Sequence, residues 1–354
     1  MGVLTMPGHL DDPRRFSSVD RSDMLGSIYR LADPFLSPRQ FSSKFTGRKR
    51  VAKELVFVGM GGSASAGDVL VDWLGSRFEF PVTVSRNPRL PRSVGRASLV
   101  VFLSYSGETW ETLEALRGAL RTGCSVMGVG SGGRLKEHIE AKGLPFFQVS
   151  PGLAPRAALG EMIVAGSMAL QSLGVTGSQS GGLREAGEEL VALREKLAPS
   201  VPVAKNRAKQ LASTLLGRLP MVYAFASMGS VARRFKNQLA ENAKVVAKYD
   251  LLPEACHNEI EAFGGGKDSV PVVVRDWEET LVESRVVSAF ISTVKRATGS
   301  RLISVREKSR SKLGRLLAPI LLLDYASAYL AVLRGIDPSP TTRIMEYKRR
   351  YAEG

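Results

Sequence analysis

The feature that most constrains this chain is a unit met again and again: a short apolar run, a turn of small residues, then a stretch at helical period. Residues 54–58 form such a run and end in Gly59-Met60-Gly61-Gly62-Ser63, with an amphipathic stretch over 66–74. Residues 98–103 form another, ending in Ser104-Tyr105-Ser106-Gly107, with helical period over 109–121. Further runs fall at 81–85, 125–129 and 146–149. The runs are apolar at consecutive positions, which suits strands buried on both faces. Short strands alternating with helices predict an α/β fold with a doubly wound parallel sheet flanked by helices.

The rhythm pauses and then returns. Residues 155–173 and 183–197 read as helices around a Gly/Ser-rich break at 174–182. A run at 221–226 ends in Ser227-Met228-Gly229-Ser230 and leads into helical period over 231–246. Strands are expected at 270–274 and 302–305, a long helix at 315–333, and a last helix at 341–352 after Asp337-Pro338-Ser339-Pro340. A chain of 354 residues exceeds one ordinary core. The expected plan is an extension over 1–45 with a helix near 24–31, a first domain at 46–155, a helical bridge at 156–200, a second domain at 201–335 built like the first, and a C-terminal helix at 336–354 that completes the site.

Composition narrows the function. Lys and Arg number 49 against 34 Asp and Glu, a net charge of +15. That excess is spread along the chain, densest at Arg48-Lys49-Arg50, at 306–312 and at Lys348-Arg349-Arg350. Aromatic residues make up 7% and do not interleave with the basic ones, so a stacking surface for nucleic acid is not supported. The apolar run at 316–333 is read as interrupted by Pro319, Asp324 and Ser327, which argues against a membrane span. Residues 1–21 lack the apolar core of a signal peptide. The two cysteines, Cys124 and Cys256, have no metal-type spacing and read as reduced core thiols of a cytoplasmic protein.

In an open parallel sheet, ligands bind beyond the carboxyl ends of the strands. The turns at 59–63 and 104–109 lie there, and each opens a helix whose first N–H groups and dipole suit a phosphate dianion. Gly61 and Gly62 allow close backbone approach, while Ser63, Ser104, Ser106 and Thr109 add hydroxyl donors. Taken singly, each hydroxyl would be an ordinary helix cap. Their clustering favours phosphate binding.

Ser104-Tyr105-Ser106-Gly107-Glu108-Thr109 resembles the phosphosugar turn of sugar-isomerase (SIS) domains. Together with Gly59 to Ser63, with Glu241-Asn242-Ala243-Lys244 and with His257-Asn258-Glu259-Ile260, it resembles the bifunctional phosphoglucose/phosphomannose isomerases over roughly residues 54–350. The chain departs from that pattern at Glu108, where Asn is usual, and at Ala64, where Gly is usual.

The resemblance implies interconversion of glucose 6-phosphate and fructose 6-phosphate, and of mannose 6-phosphate, through a cis-enediol and without metal or cofactor. Such chemistry requires a base on one face of the enediol, an acid/base to open the sugar ring and a cation to steady the enediolate. The resemblance makes Glu241 the base. On a helix, Arg234 and Lys244 would share its face. It makes His257, one of three histidines, the ring-opening group, donated by the neighbouring subunit of a homodimer. Its ordinary pKa near ~6.5 suits either direction of transfer. Arg156, after Pro155, would hold the enediolate, since guanidinium carries charge without acting as a base. Lys348 would assist ring opening, and Thr341, on the same helical face, would leave room at C2 for both epimers. The alternatives are a non-catalytic phosphosugar-binding regulator, which would keep the turns and lose the base, and an amino-sugar enzyme, which would carry a further domain or a different base.

Overall fold

The computed structural model describes residues 10–41, 52–263, 268–299 and 302–352. The basic cluster Arg48-Lys49-Arg50 lies outside them. Three short helices lead in: α1 (Pro13–Val19), α2 (Met24–Tyr29) and α3 (Asp33–Leu36). The first sheet follows as β1 (Glu54–Gly59), α4 (Gly61–Leu74), β2 (Val82–Ser85), β3 (Ser98–Leu103), α5 (Trp110–Thr122), β4 (Ser125–Gly130), α6 (Gly133–Glu140) and β5 (Phe146–Gln148). Helices α7 (Leu159–Ser172), α8 (Ser180–Leu197) and α9 (Arg207–Leu215) connect it to the second sheet. There β6 (Leu219–Phe225), α10 (Gly229–Glu241), β7 (Lys248–Leu252), β8 (Ser269–Arg275), α11 (Leu281–Thr298) and β9 (Ile303–Arg306) are followed by α12 (Lys312–Leu333) and α13 (Thr342–Ala352).

Both sheets are parallel throughout, in the orders β2-β1-β3-β4-β5 and β7-β6-β8-β9. Side chains alternate across the strands. Leu55 and Phe57 pack towards α4 and α7, while Val56 and Val58 pack towards α5 and α6. Tyr223 and Val273 face α11, whereas Val222, Ala224, Val272 and Val274 join the large core shared with the first half. The order of the first sheet places its switch point between β1 and β3, so the crevice beyond their carboxyl ends receives both hydroxyl-rich turns.

Helix α12 is the long helix expected at 315–333, and it corrects only the reading of its apolar run as too interrupted to be long and apolar enough for a membrane. It runs unbroken through Pro319, Asp324 and Ser327, and its most apolar stretch has a mean hydropathy of 1.9, enough by length and composition to span a membrane. That stretch is wholly buried inside the protein. The polar breaks are absorbed locally: Ser327 donates to the Asp324 carbonyl at 2.7 Å, and the Asp324 carboxylate pairs with Arg234. The N-terminal helices are held to the body by Lys209. Its fully buried ammonium donates to the Leu10 carbonyl at 2.6 Å and the Pro199 carbonyl at 2.8 Å.

The halves meet where α4 packs on α10. Asp68 pairs with Arg86 and with Arg233, the latter at 3.3 Å, and Arg233 donates to the Tyr249 hydroxyl at 2.7 Å. Asp72 accepts the Ser230 backbone N–H at 2.9 Å. The second Ser/Gly turn is therefore filled by the protein's own carboxylate, at the helix end where an anion is favourable. Burial raises the Asp72 pKa to about 6, with the Ser230 contacts opposing the rise. A raised carboxyl pKa means stability that is present at low pH and lost as pH climbs from ~4 to ~6. Asp72→Asn keeps an acceptor for Ser230 and removes the charge. Urea unfolding should show the variant more stable by about 1–3 kcal/mol at pH 7, with little difference near pH 4. Destabilisation at pH 7 would mean that the ionised carboxylate is net favourable.

Candidate functional site

The two turns differ in what they leave open. Neither α4 nor α5 has a side-chain cap; the N–H groups of Ser63 and Thr112 already bond the carbonyls of Met60 and Thr109, both at 3.1 Å, which leaves the N–H groups that precede them to a ligand. Ser63 is buried, and its hydroxyl accepts the Tyr105 N–H at 3.0 Å, tying one turn to the other. Ser104 is buried as well, and its hydroxyl points at Thr109 Oγ1, 3.4 Å away. Ser106 is exposed and Thr109 half-buried. Ser106 and Thr109 are thus the more open hydroxyls, while Ser63 and Ser104 line the crevice more deeply, with the Ser63 O–H still free to donate as it accepts from Tyr105. Gly107 is required by that shape, because it has φ +70° and a Cβ there would fall 1.9 Å from the Gly132 carbonyl oxygen. Glu108 turns away to Arg134, accepting its backbone N–H at 2.9 Å and its Nε at 2.7 Å. These contacts hold the Glu108 carboxyl below its usual pKa and keep it off the turn's donors.

Arg156 links this crevice to the second half. It lies in the turn before α7, which starts at Leu159 and not at 155 as the sequence suggested. A Cβ on Gly62 would come 2.9 Å from the Arg156 Cα, so the glycine permits the two backbones to touch. The side chain is only 3% exposed. Its Nε donates to Asn242 Oδ1 at 2.7 Å, and its Nη2 donates to the carbonyls of Pro338 and Ser339 at 2.7 and 3.0 Å. Nη1 is left 3.7 Å from Glu241 Oε2. Burial works against the Arg156 charge, and Glu241 offsets it.

Glu241 is the last residue of α10. The expected helix to 246 stops here, since Asn242 caps it and Lys244 adopts φ +54°. Lys244 therefore does not share the Glu241–Arg234 face. Its ammonium instead returns to the Glu241 carbonyl and reaches the Pro338 carbonyl at 3.2 Å. Arg334 closes the same helix end, donating to the carbonyls of Ala243 and Lys244. Arg234 keeps its place on the Glu241 face but is spent internally. It binds both Asp324 oxygens and donates to the Arg156 carbonyl at 2.9 Å. Asn242 completes the network by donating to Ser327 Oγ at 2.9 Å. The sequence assigns no role to Asn242 and shows Asp324 only as a polar interruption of an apolar run. A lone acid inside a long apolar run was the available signal for Asp324.

A cavity of about 640 Å³ opens beside Glu241, lined also by Lys244, Arg334 and Thr341. Thr341 immediately precedes α13, which begins one residue later than expected, and its carbonyl accepts the Met345 N–H at 3.1 Å as the first bond of that helix. Lys348 is exposed on α13, away from Glu241 in sequence but on the helix whose far end meets Trp110 beside the phosphate-type turn. His257 ends a short 3₁₀ turn after β7 and is exposed within the chain. Its neighbour Glu259 anchors that turn: Tyr223 donates to Glu259 Oε1 at 2.7 Å and Lys248 pairs with Oε2 at 2.8 Å. Cys124 and Cys256 are free thiols, half-buried and not core. Among the described residues, no group of three or more His, Cys, Asp or Glu stands in a metal-binding arrangement.

Comparison with known proteins points the same way. Residues 204–351 match the family described as bacterial phospho-glucose isomerase C-terminal SIS domain. The chain is 32% identical to a bifunctional phosphoglucose/phosphomannose isomerase of Caldicellulosiruptor bescii, over 93% of this chain and 99% of that protein. It is 32% identical to the enzyme of the same name from Aquifex aeolicus, over 84% and 89%. In fold it resembles a glucose-6-phosphate isomerase like protein from Thermus thermophilus, with TM-score 0.63 at 20% identity over 96% and 98% of the two chains.

The contact between Gly62 and Arg156 gives a direct test of this geometry. Gly62→Ala forces the two backbones apart and should destabilise the protein by about 1–3 kcal/mol, measured by urea unfolding. Unchanged stability would show that the turn and Arg156 are not held against each other.

Proposed function

The chain belongs to the bifunctional phosphoglucose/phosphomannose isomerase family, and from that premise we propose that this phosphosugar isomerase interconverts fructose 6-phosphate with glucose 6-phosphate and with mannose 6-phosphate. The observation that carries the reading is the single guanidinium of Arg156, whose backbone lies against Gly62 of the first turn and whose Nη1 lies 3.7 Å from the Glu241 carboxylate.

In this reading the 6-phosphate sits on the N–H groups that open α4 and α5, with Ser106 and Thr109 as hydroxyl donors. His257 of the partner subunit and Lys348 assist ring opening. Glu241 removes the proton from C2 of the open aldose, and the C–H electron pair moves to form the C1–C2 double bond of a cis-enediolate. Arg156 holds the developing oxyanion, because its other donors are already engaged by neutral acceptors. A proton then passes from the hydroxyl on C2 to the oxyanion on C1, Glu241 returns its own proton to C1, and the C2–O bond becomes the carbonyl of the ketose. Both epimers give one enediol, and Thr341, on the same cavity as Glu241, supports a site with room for either arrangement at C2. The exposure of His257 on the turn after β7 supports its donation across a homodimer. Two SIS-type units, at 46–155 and 201–335, with 336–354 completing the site, are the domain plan that goes with this reading. A cytoplasmic location is supported by the free thiols.

Glu241→Gln keeps the shape of the side chain and loses the base. Turnover of fructose 6-phosphate, followed through both aldose products, should fall at least ~100-fold while fructose 6-phosphate still binds, given the usual worth of a general base. Turnover above about one hundredth of wild type would remove Glu241 from the role.

A further inference from the structure

Trp110 occupies an unusual place for a large apolar side chain. It is the first residue of α5, directly after Thr109 at the rim of the turn, and it is 44% exposed. Its ring meets Tyr351 edge-on, with centroids 5.0 Å apart and planes at 88°. Tyr351 in turn stacks on Tyr347, with centroids 5.8 Å apart at 21°. Helix α13 is otherwise exposed along its described side chains, and its Arg350–Glu346 pair stays within the helix. The segment leading into α13 is pinned through the Pro338 and Ser339 carbonyls by Arg156 and Lys244. The far end is fastened to the first sheet's helix by the aromatic pair. Lys348 lies one turn before Tyr351 and shares its face.

We propose that Trp110 and Tyr351 are positioning residues: their ring contact latches α13 across the rim of the 104–109 turn and so sets where Lys348 stands over a phosphosugar held there. This rests on the functional reading above. Edge-on aromatic pairs are favourable but weak, which suits a contact that must part for a substrate to enter. Neither ring touches the reacting atoms, and both act through the placement of Lys348.

The test uses the full-length protein and fructose 6-phosphate. Tyr351→Ala should lower kcat roughly 10- to 100-fold with KM changed by no more than about twofold, the signature of a misplaced catalytic group and not of lost binding. Tyr351→Phe should restore turnover, because the ring and not the hydroxyl makes the contact. In a Lys348→Ala background, Tyr351→Ala should cost nothing further. Equal losses in both backgrounds, or failure of phenylalanine to restore turnover, would overturn the proposal. A second readout is independent of catalysis. The difference in tryptophan emission between wild type and Trp110→Phe isolates the Trp110 signal, and Tyr351→Ala should shift that signal to the red as the ring gains water. An unshifted signal overturns the latch even in an active isomerase. A shifted signal in a chain that does not isomerise fructose 6-phosphate would defeat the functional reading and leave the latch standing.

Discussion

Everything at this site depends on how one buried guanidinium distributes its hydrogen bonds. Arg156 gives its Nε to an amide and one Nη to two backbone carbonyls, all neutral acceptors. Those bonds fix its plane without cancelling its charge. Its carboxylate neighbour, Glu241, stands at 3.7 Å, too far for a direct hydrogen bond. The second arginine nearby would repel it, but Arg234 is neutralised by Asp324, and both are almost fully buried. Removing either partner of such a pair leaves an uncompensated buried charge, which typically costs about 3–5 kcal/mol. One arginine is thus consumed in holding the core together, and the other keeps charge available for an anion.

That arrangement ties three distant stretches of chain to one point. Gly62 brings the first turn against the Arg156 backbone, Asn242 brings the end of α10, and Pro338 and Ser339 bring the segment that leads to α13. The order β2-β1-β3-β4 of the first sheet recurs as β7-β6-β8-β9 in the second, yet the turns of the two sheets are filled differently. In the second, Asp72 occupies the Ser230 N–H, and Ser227 donates to Glu283 at 2.6 Å. In the proposed mechanism the second unit supplies the carboxylate and the histidine turn instead. A repeated fold therefore serves as two different tools, and which tool each becomes is decided by single residues at the turns.

Much of this was legible in the sequence because it rests on local pattern. Runs of consecutive apolar residues marked the buried strands, and the Ser/Gly turns marked the carboxyl ends of β1 and β3. What the sequence hid depends on contacts far apart in the chain. The α10 helix was expected to run on to 246, and nothing in the local period shows that Asn242 is needed by Arg156 and Ser327, or that Lys244 takes φ +54° there. Asp324 looked like a break in an apolar run because its partner, Arg234, lies on another helix. The hydroxyls of the turns looked equivalent, but burial separates Ser63 and Ser104 from Ser106 and Thr109.

The central claim is that a carboxylate beside Arg156 moves a proton between C1 and C2 of a phosphosugar. The measurement that tests it most directly is turnover of fructose 6-phosphate by the wild-type protein in deuterium oxide, with the aldose 6-phosphate products examined by nuclear magnetic resonance. A proton held on a carboxylate base can exchange with solvent during the lifetime of the enediol, in competition with its return to carbon, so label accumulates over repeated turnovers. The account expects deuterium at C2 of both the glucose and the mannose epimer. A complete absence of deuterium at C2 after many turnovers at equilibrium, with aldose and ketose interconverting at a normal rate, would contradict it, because a hydrogen held on a carboxylate exchanges with solvent in some fraction of turnovers.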